Sequence, residues 1–159
     1  MDRGFEAHPE AEVRTMGIDP SSTKIGIAVV EDGRVLHYET LLGVRKDTSL
    51  ARSLSEVQSE VAKLCRLWKP ERIAIEQVSV TFNMNSVRKI AYFEAACMMG
   101  AATRTKTDVR SMKTTSARKQ GLGNGGLSKE QAVTRVREMF SDDISGDEAD
   151  AIVLALAVA

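Results

Sequence analysis

The sequence predicts an α/β protein with a mixed five-stranded sheet, three antiparallel strands followed by parallel ones, flanked by helices. Three observations carry this prediction. Apolar residues alternate with period two on both sides of an Asp32-Gly33 turn, as in a hairpin with one buried face. An amphipathic helical pattern then covers 49–67, and Pro70 ends it. Residues 72–77 (Arg-Ile-Ala-Ile-Glu-Gln) form the nearly continuous apolar run expected of a buried parallel strand.

The same patterns assign each element in chain order. The predicted strands cover 13–19, 23–31, 34–42, 72–77 and 105–112. The predicted helices cover 49–67, 85–102, a short turn at 116–120 that ends at Gly121, 129–140, and a last helix from the Ser145 cap to Ala159. Ser128 and Ser145 are each followed three residues later by Gln or Glu, the capping-box pattern that starts a helix.

Length and composition limit the class of protein. The 159 residues favour one domain, 13–159, behind an acidic leader at 1–12 that we expect to be disordered. No apolar run reaches membrane-spanning length and the start lacks a signal-peptide pattern, which predicts a cytoplasmic protein without a membrane partner. Cys65 and Cys97 lie alone in helical patterns and are expected to be reduced core thiols.

Charge is distributed unevenly along the chain. The formal net charge is zero, which by itself argues against a nucleic-acid partner. Residues 104–129, however, contain seven Lys and Arg residues against the single acid Asp108. This segment predicts an anion-binding face beside an acidic site, and a merely solvated charged surface is the alternative.

Four acids stand where elements end or begin. Asp19 ends the first predicted strand and Glu76 the fourth, while Asp147 and Asp150 share one face of the last helix's first turn. If that helix crosses the strand ends, four carboxylates converge, an arrangement that destabilises the fold unless cations neutralise it. Two Mg²⁺ ions, for which Mn²⁺ would substitute, would form a phosphodiester-cleaving site. The plainer alternatives are an Asx turn at Asp19 and acids that complement a helix dipole.

Four motifs in the chain resemble those of the RuvC family of Holliday-junction resolvases. They occur in the family's order over about 14–159, and they are Gly-Ile-Asp-Pro-Ser-Ser at 17–22, Ala-Ile-Glu-Gln-Val at 74–78, the glycine-rich stretch 123–131, and Asp-Glu-Ala-Asp-Ala at 147–151. The resemblance implies an RNase H-like fold. It also implies that the catalytic acids and metal ligands are Asp19, Glu76, Asp147 and Asp150.

DNA contacts are implied in the same way. Lys129, and Arg118 or Lys119, correspond to basic positions that face the scissile phosphate, and Lys113 lies in the same basic segment. The family's aromatic wedge position is Ser79 here, so either the nearby Phe82 replaces the wedge or the junction is opened differently. The run Phe93-Glu94-Ala95-Ala96-Cys97 replaces the family's usual Gly-Gln-Ala-Arg-Gly. These departures suggest a divergent, phage-like member.

The resemblance implies a Mg²⁺-dependent, structure-selective endonuclease that resolves four-way junctions by paired symmetric nicks. Paired nicks need a homodimer, and the largely apolar helix 85–102 is the candidate interface, with an ordinary core helix as the alternative. Alternatives are an RNase H-like nuclease for flaps, forks or RNA–DNA hybrids, and a junction-binding protein without cleavage. An ATP-binding kinase or chaperone-like fold is disfavoured by the length of the chain and by the absence of a glycine after Pro20.

Overall fold

The computed structural model describes residues 12–80 and 83–159. Its strands are β1 Arg14–Asp19, β2 Lys24–Glu31, β3 Arg34–Leu42, β4 Arg72–Glu76 and β5 Asp108–Met112. Its helices are α1 Leu50–Trp68, α2 Met84–Ala101, α3 Thr114–Leu122, α4 Lys129–Met139 and α5 Gly146–Ala157. Residues 1–11 of the predicted leader lie outside the described residues, so the division into leader and domain stays a prediction.

The five strands form one mixed sheet in the order β3-β2-β1-β4-β5. β1, β2 and β3 pair antiparallel, whereas β4 runs parallel to both β1 and β5. Asp32 (φ 51°) and Gly33 (φ 72°) both have positive φ, the combination that a tight two-residue hairpin between β2 and β3 requires. The sheet predicted from the sequence is therefore confirmed.

Helices cover both faces of the sheet, as expected when strands are buried on two sides. One core lies between the sheet and helices α1 and α2, and it contains the isoleucines at 18, 25, 27, 73 and 75. The opposite core lies against α3, α4 and α5, where the sheet offers small residues such as Ala28 and Ala74. Cys65 and Cys97 are free and buried in the first core, as predicted.

Glycines let α5 approach the sheet more closely than any side chain would allow. A Cβ on Gly17 would lie 2.7 Å from the Ala155 nitrogen, and one on Gly26 would overlap the backbone of Asp147. The Thr15 hydroxyl, on the same face, donates to the Ala155 carbonyl at 2.8 Å. The first turn of α5 is thus held directly over the ends of β1 and β2.

Element boundaries differ from the prediction mainly around α3. That helix covers Thr114–Leu122 rather than 116–120, and the predicted terminator Gly121 lies inside it. A Cβ on Gly121 would come within 2.5 Å of the Val153 carbonyl oxygen, so this glycine permits the contact between α3 and α5. The helix ends instead at Gly123, whose φ of 78° suits glycine.

Within 12–80 and 83–159, no helix is long and apolar enough to cross a membrane.

Candidate active site

Strand alternation places two carboxylates on the α5 face of the sheet. Ile18 and Ile75 point into the core under α1 and α2, so Asp19 and Glu76, one residue later, point to the other face. Because Ile18 pairs with Ile75 in parallel register, Asp19 and Glu76 occupy adjacent positions at the carboxyl ends of β1 and β4. The Glu76 carboxyl lies close enough to Asp19 to raise the pKa of Asp19.

Two capped helices bring the remaining charged groups to this edge. Ser145 caps α5 with a complete capping box; Asp147 lies in the first turn of that helix, and Asp150 follows three residues later on the same face. Ser128 caps α4 in the same way, which places Lys129 at its first position. Lys129 Nζ lies 3.0 Å from Asp150 Oδ2, and Asp150 is only 9% exposed.

The site is a cluster of buried carboxylates beside one lysine. Burial raises the pKa of Asp19 well above its usual value, and the neighbouring Glu76 and Asp150 raise it further. Burial also raises the pKa of Asp150, in spite of the hydrogen bond from Lys129. Burial alone would lower the pKa of Lys129, but Asp150, Asp19 and Asp147 raise it overall, so this lysine stays protonated.

The structure separates the predicted basic residues into two groups. Lys129 and Arg118 lie at the carboxylates: Arg118 lines a small cavity with Glu76 and Asp150, and its Nη1 donates to the Leu127 carbonyl at 2.7 Å. Lys113 and Lys119 are exposed nearby on the surface. Phe82 lies outside the described residues, so its predicted role as a wedge stays a prediction.

Two adjoining depressions open at the carboxylate edge. One, of about 210 Å³, is lined by Asp19, Glu76, Ile90 and the segment 77–79. The other, of about 360 Å³, is lined by 77–80 on one side and by 113–115 on the other. Since both share 77–79, they form a surface path from the acids toward Lys113. That path is where a strand of a polyanionic substrate could lie along the basic segment.

The oxygen-only donor set fits a hard divalent cation, because Mg²⁺ and Mn²⁺ prefer carboxylate ligands and a bound cation would offset the cost of ionising these buried carboxyls. As the side chains stand, no three acidic, imidazole or thiol groups among the described residues are placed to share one ion. Glu76 instead accepts the Thr114 hydroxyl, and Asp150 pairs with Lys129. These are the contacts that an ion would replace.

Two further residues that the sequence did not single out contact this site. The Thr114 hydroxyl donates to Glu76 Oε1. Glu94, on α2, accepts the backbone N–H of Val78 at 3.0 Å and the Ser111 hydroxyl at 3.2 Å. A lone acid in the otherwise apolar stretch 93–97 was the available signal for Glu94. The contact of Thr114 with Glu76 depends on the pairing of Glu76 with Met112 between β4 and β5, and the sequence does not specify that pairing.

Comparison with known proteins identifies the family to which the chain belongs. The family model for the crossover junction endodeoxyribonuclease RuvC matches residues 15–159. The chain belongs to the RuvC family. The RuvC of Idiomarina loihiensis is 31% identical over 150 residues, covering 89% of this chain and 84% of the relative. That of Bdellovibrio bacteriovorus is 28% identical over 145 residues, covering 88% and 86%.

Solved structures confirm the predicted fold. The structure described as T. thermophilus RuvC in complex with Holliday junction substrate matches with a TM-score of 0.79, over 91% of this chain and 92% of that one, at 21% identity. At that identity the likeness establishes the RNase H-like fold alone. Membership of the RuvC family confirms the predicted enzyme class, an endodeoxyribonuclease, and nucleases of this family use divalent metal ions.

Proposed function

We propose that this chain is a Mg²⁺-dependent endonuclease that resolves four-way DNA junctions by paired symmetric nicks. The observation that carries the proposal is the meeting of Asp19, Glu76 and Asp150 with Lys129 at one edge of the sheet. The relatives' shared description as crossover junction endodeoxyribonucleases and the Holliday-junction complex of the T. thermophilus protein support the choice of substrate.

The residues of the chain have separate tasks in this proposal. Asp19, Glu76, Asp147 and Asp150 would hold two Mg²⁺ ions, for which Mn²⁺ would substitute, and the bound metal would supply activation of water and stabilisation of the departing oxygen. Lys129, kept protonated by the surrounding acids, attracts the scissile phosphate and balances part of its charge. Arg118 donates a hydrogen bond to the Leu127 carbonyl, and this bond fixes the end of the glycine-rich loop just before Ser128 and Lys129.

Glu76→Gln is expected to abolish junction cleavage while leaving junction binding intact. The amide keeps the shape of Glu76 but removes one ligand charge, which should lower the cleavage rate by about 100-fold or more. The measurement compares cutting of a labelled four-way junction, a flap, an RNA–DNA hybrid and a plain duplex of matched sequence in Mg²⁺. Glu138→Gln, the same change at an exposed position of α4, is the control and should cut normally.

The outcomes separate the alternatives. Paired symmetric nicks in the junction alone, lost in Glu76→Gln, support the proposal. Equal cutting of flap and junction would make this a general branched-DNA nuclease, and preferential cutting of the hybrid would indicate recognition of the 2′-hydroxyl. Junction binding without cutting by the wild type, in Mg²⁺ or Mn²⁺, would leave a binding protein.

Phosphate contacts by the exposed lysines of the basic segment should supply much of the affinity. Lys113→Gln and Lys119→Gln are each expected to weaken junction binding and to reduce the slope of log affinity against log salt by about 0.9. Fluorescence anisotropy over a salt series measures both quantities. Lys63→Gln, an exposed site on α1 behind the opposite face of the sheet, is the control. Unchanged slopes in both variants would place the DNA elsewhere.

Paired nicks require two copies of the site, and α2 offers a surface for the second copy. Phe93 and Cys97 are buried beneath the helix, whereas Tyr92 and Met99, seven residues apart on another stripe, are 44% and 58% exposed. An apolar stripe of this kind is suited to pack against its own copy across a two-fold axis. Sedimentation equilibrium of the full chain, expected to give twice its 17.4 kDa, tests the homodimer.

A further inference from the structure

We propose that Glu94 and Thr114 are positioning residues that together fix the carboxylate of Glu76 for metal binding. This inference rests on the proposed function, since it takes Glu76 to be a metal ligand. Neither residue belongs to the four acids or to the basic segment's exposed lysines. Both act through Glu76 rather than on the substrate.

Glu94 holds the chain where it leaves β4. The strand ends at Glu76, and the last backbone bond to β5 runs from the Gln77 N–H to the Met112 carbonyl at 2.8 Å. The next amide, Val78 N–H, has no strand partner and donates to Glu94 Oε2 at 3.0 Å. The other oxygen, Oε1, accepts the Ser111 hydroxyl of β5 at 3.2 Å. One half-buried carboxylate thus ties α2 to both strand ends.

Thr114 holds the side chain of Glu76 directly. Its hydroxyl donates to Glu76 Oε1 from the first position of α3, immediately after β5. A hydroxyl donor on one oxygen restricts rotation of the carboxylate. Two contacts therefore fix Glu76. Glu94 fixes the backbone two residues after it, at Val78, and Thr114 binds an oxygen of the Glu76 side chain itself. Groups that orient metal ligands in this way commonly change metal affinity by about 10- to 100-fold when removed.

The first test uses the hydroxyl of Thr114. Thr114→Val keeps the branched shape and removes the donor, and should weaken binding of Mn²⁺ alone to the full chain by about tenfold, measured by calorimetry without DNA. Thr114→Ser restores the hydroxyl and should restore affinity. Thr115→Val, the same change at the next and exposed residue, should bind Mn²⁺ as the wild type does. In cleavage assays, Thr114→Val should need more metal for half-maximal rate but approach the wild-type rate at saturation.

The second test follows the backbone. Glu94→Ala should accelerate hydrogen exchange of the Val78 amide in the metal-free protein and weaken Mn²⁺ binding. Glu94→Gln keeps one acceptor oxygen, so its effects on exchange and on Mn²⁺ affinity should both be smaller. Thr114→Val should leave Val78 exchange unchanged, because that amide bonds to Glu94. If Glu94→Ala fails to fold, Glu94→Gln and the Thr114 series still decide the question.

Glu76→Gln serves as the reference that separates this inference from the proposed function. If Glu76→Gln binds Mn²⁺ as tightly as the wild type, the metal site itself is wrong. If Glu76→Gln loses Mn²⁺ binding while Thr114→Val and Glu94→Gln retain full affinity, the positioning inference alone is overturned. Weaker Mn²⁺ binding by Thr114→Val and Glu94→Gln, with the affinity restored in Thr114→Ser, supports the positioning inference.

Discussion

Asp19→Asn is expected to stabilise the metal-free protein and to abolish cleavage. Burial and the neighbouring Glu76 and Asp150 hold the pKa of Asp19 far above its unfolded value of 3.8. Ionised Asp19 is therefore a cost to the folded state, and an amide of the same size removes that cost. Because Asp19 is also a proposed metal ligand, the same change should reduce cleavage by about 100-fold or more. A gain in stability with a loss of activity distinguishes a functional acid from a structural one.

The expected effect depends on pH, and its sign follows from the raised pKa. Between about pH 4 and the raised folded pKa of Asp19, the folded state binds more protons than the unfolded state, so the stability of the wild type falls as pH rises. Each unit of difference in pKa corresponds to about 1.4 kcal/mol. We expect Asp19→Asn to exceed the wild type by at least about 2 kcal/mol at pH 8. The difference should shrink toward zero near pH 4.

Urea unfolding in EDTA from pH 5 to pH 8 measures this difference. Asp143→Asn is the control with the opposite sign, because hydrogen bonds from Ser141 and Tyr38 lower the pKa of Asp143. Removing that carboxylate should not stabilise the protein at any pH. Adding Mg²⁺ should raise the stability of the wild type more than that of Asp19→Asn. Equal stability of Asp19→Asn and wild type at pH 8 would mean that folding does not raise the pKa of Asp19.

Local pattern was enough to predict much of the candidate site. Asp19 and Glu76 each end a short apolar run, and a strand's end and its side-chain alternation are both visible in a few residues of sequence. The caps Ser128 and Ser145 are equally local, and both capping boxes are present as predicted. These features place charged groups at the ends of elements without any knowledge of which elements are neighbours.

Contacts that depend on register between distant segments could not be predicted in this way. Thr114 reaches Glu76 only because β5 lies beside β4, and Glu94 reaches Val78 only because α2 folds back on the same strand ends. The extent of α3 was misjudged for the same reason. Gly121, a helix terminator by local propensity, is instead a point of close approach to α5.

Gly26→Ala should show how strongly the active site depends on such an approach. Gly26 pairs with Asp19 in the sheet, and an added Cβ would lie 2.5 Å from the carbonyl carbon of Asp147 and 3.2 Å from the Glu148 nitrogen. These are backbone atoms, so the first turn of α5 must move away from β2. We expect a loss of about 1–3 kcal/mol in the free energy of unfolding. A shift of about 1 Å in Asp147 and Asp150 should also lower cleavage by about 100-fold.

Gly146→Ala is the matched control, because it makes the same change at the first position of α5. The nearest atom to a Cβ there, Lys129 Cε, is 3.8 Å away, and the position is helical. That variant should be equally or slightly more stable, by up to about 1 kcal/mol. Urea unfolding and junction cleavage are measured for both. If Gly26→Ala cleaves and unfolds like Gly146→Ala, then α5 can retreat without disturbing Asp147 and Asp150, and the site does not depend on the close packing of this helix on β2.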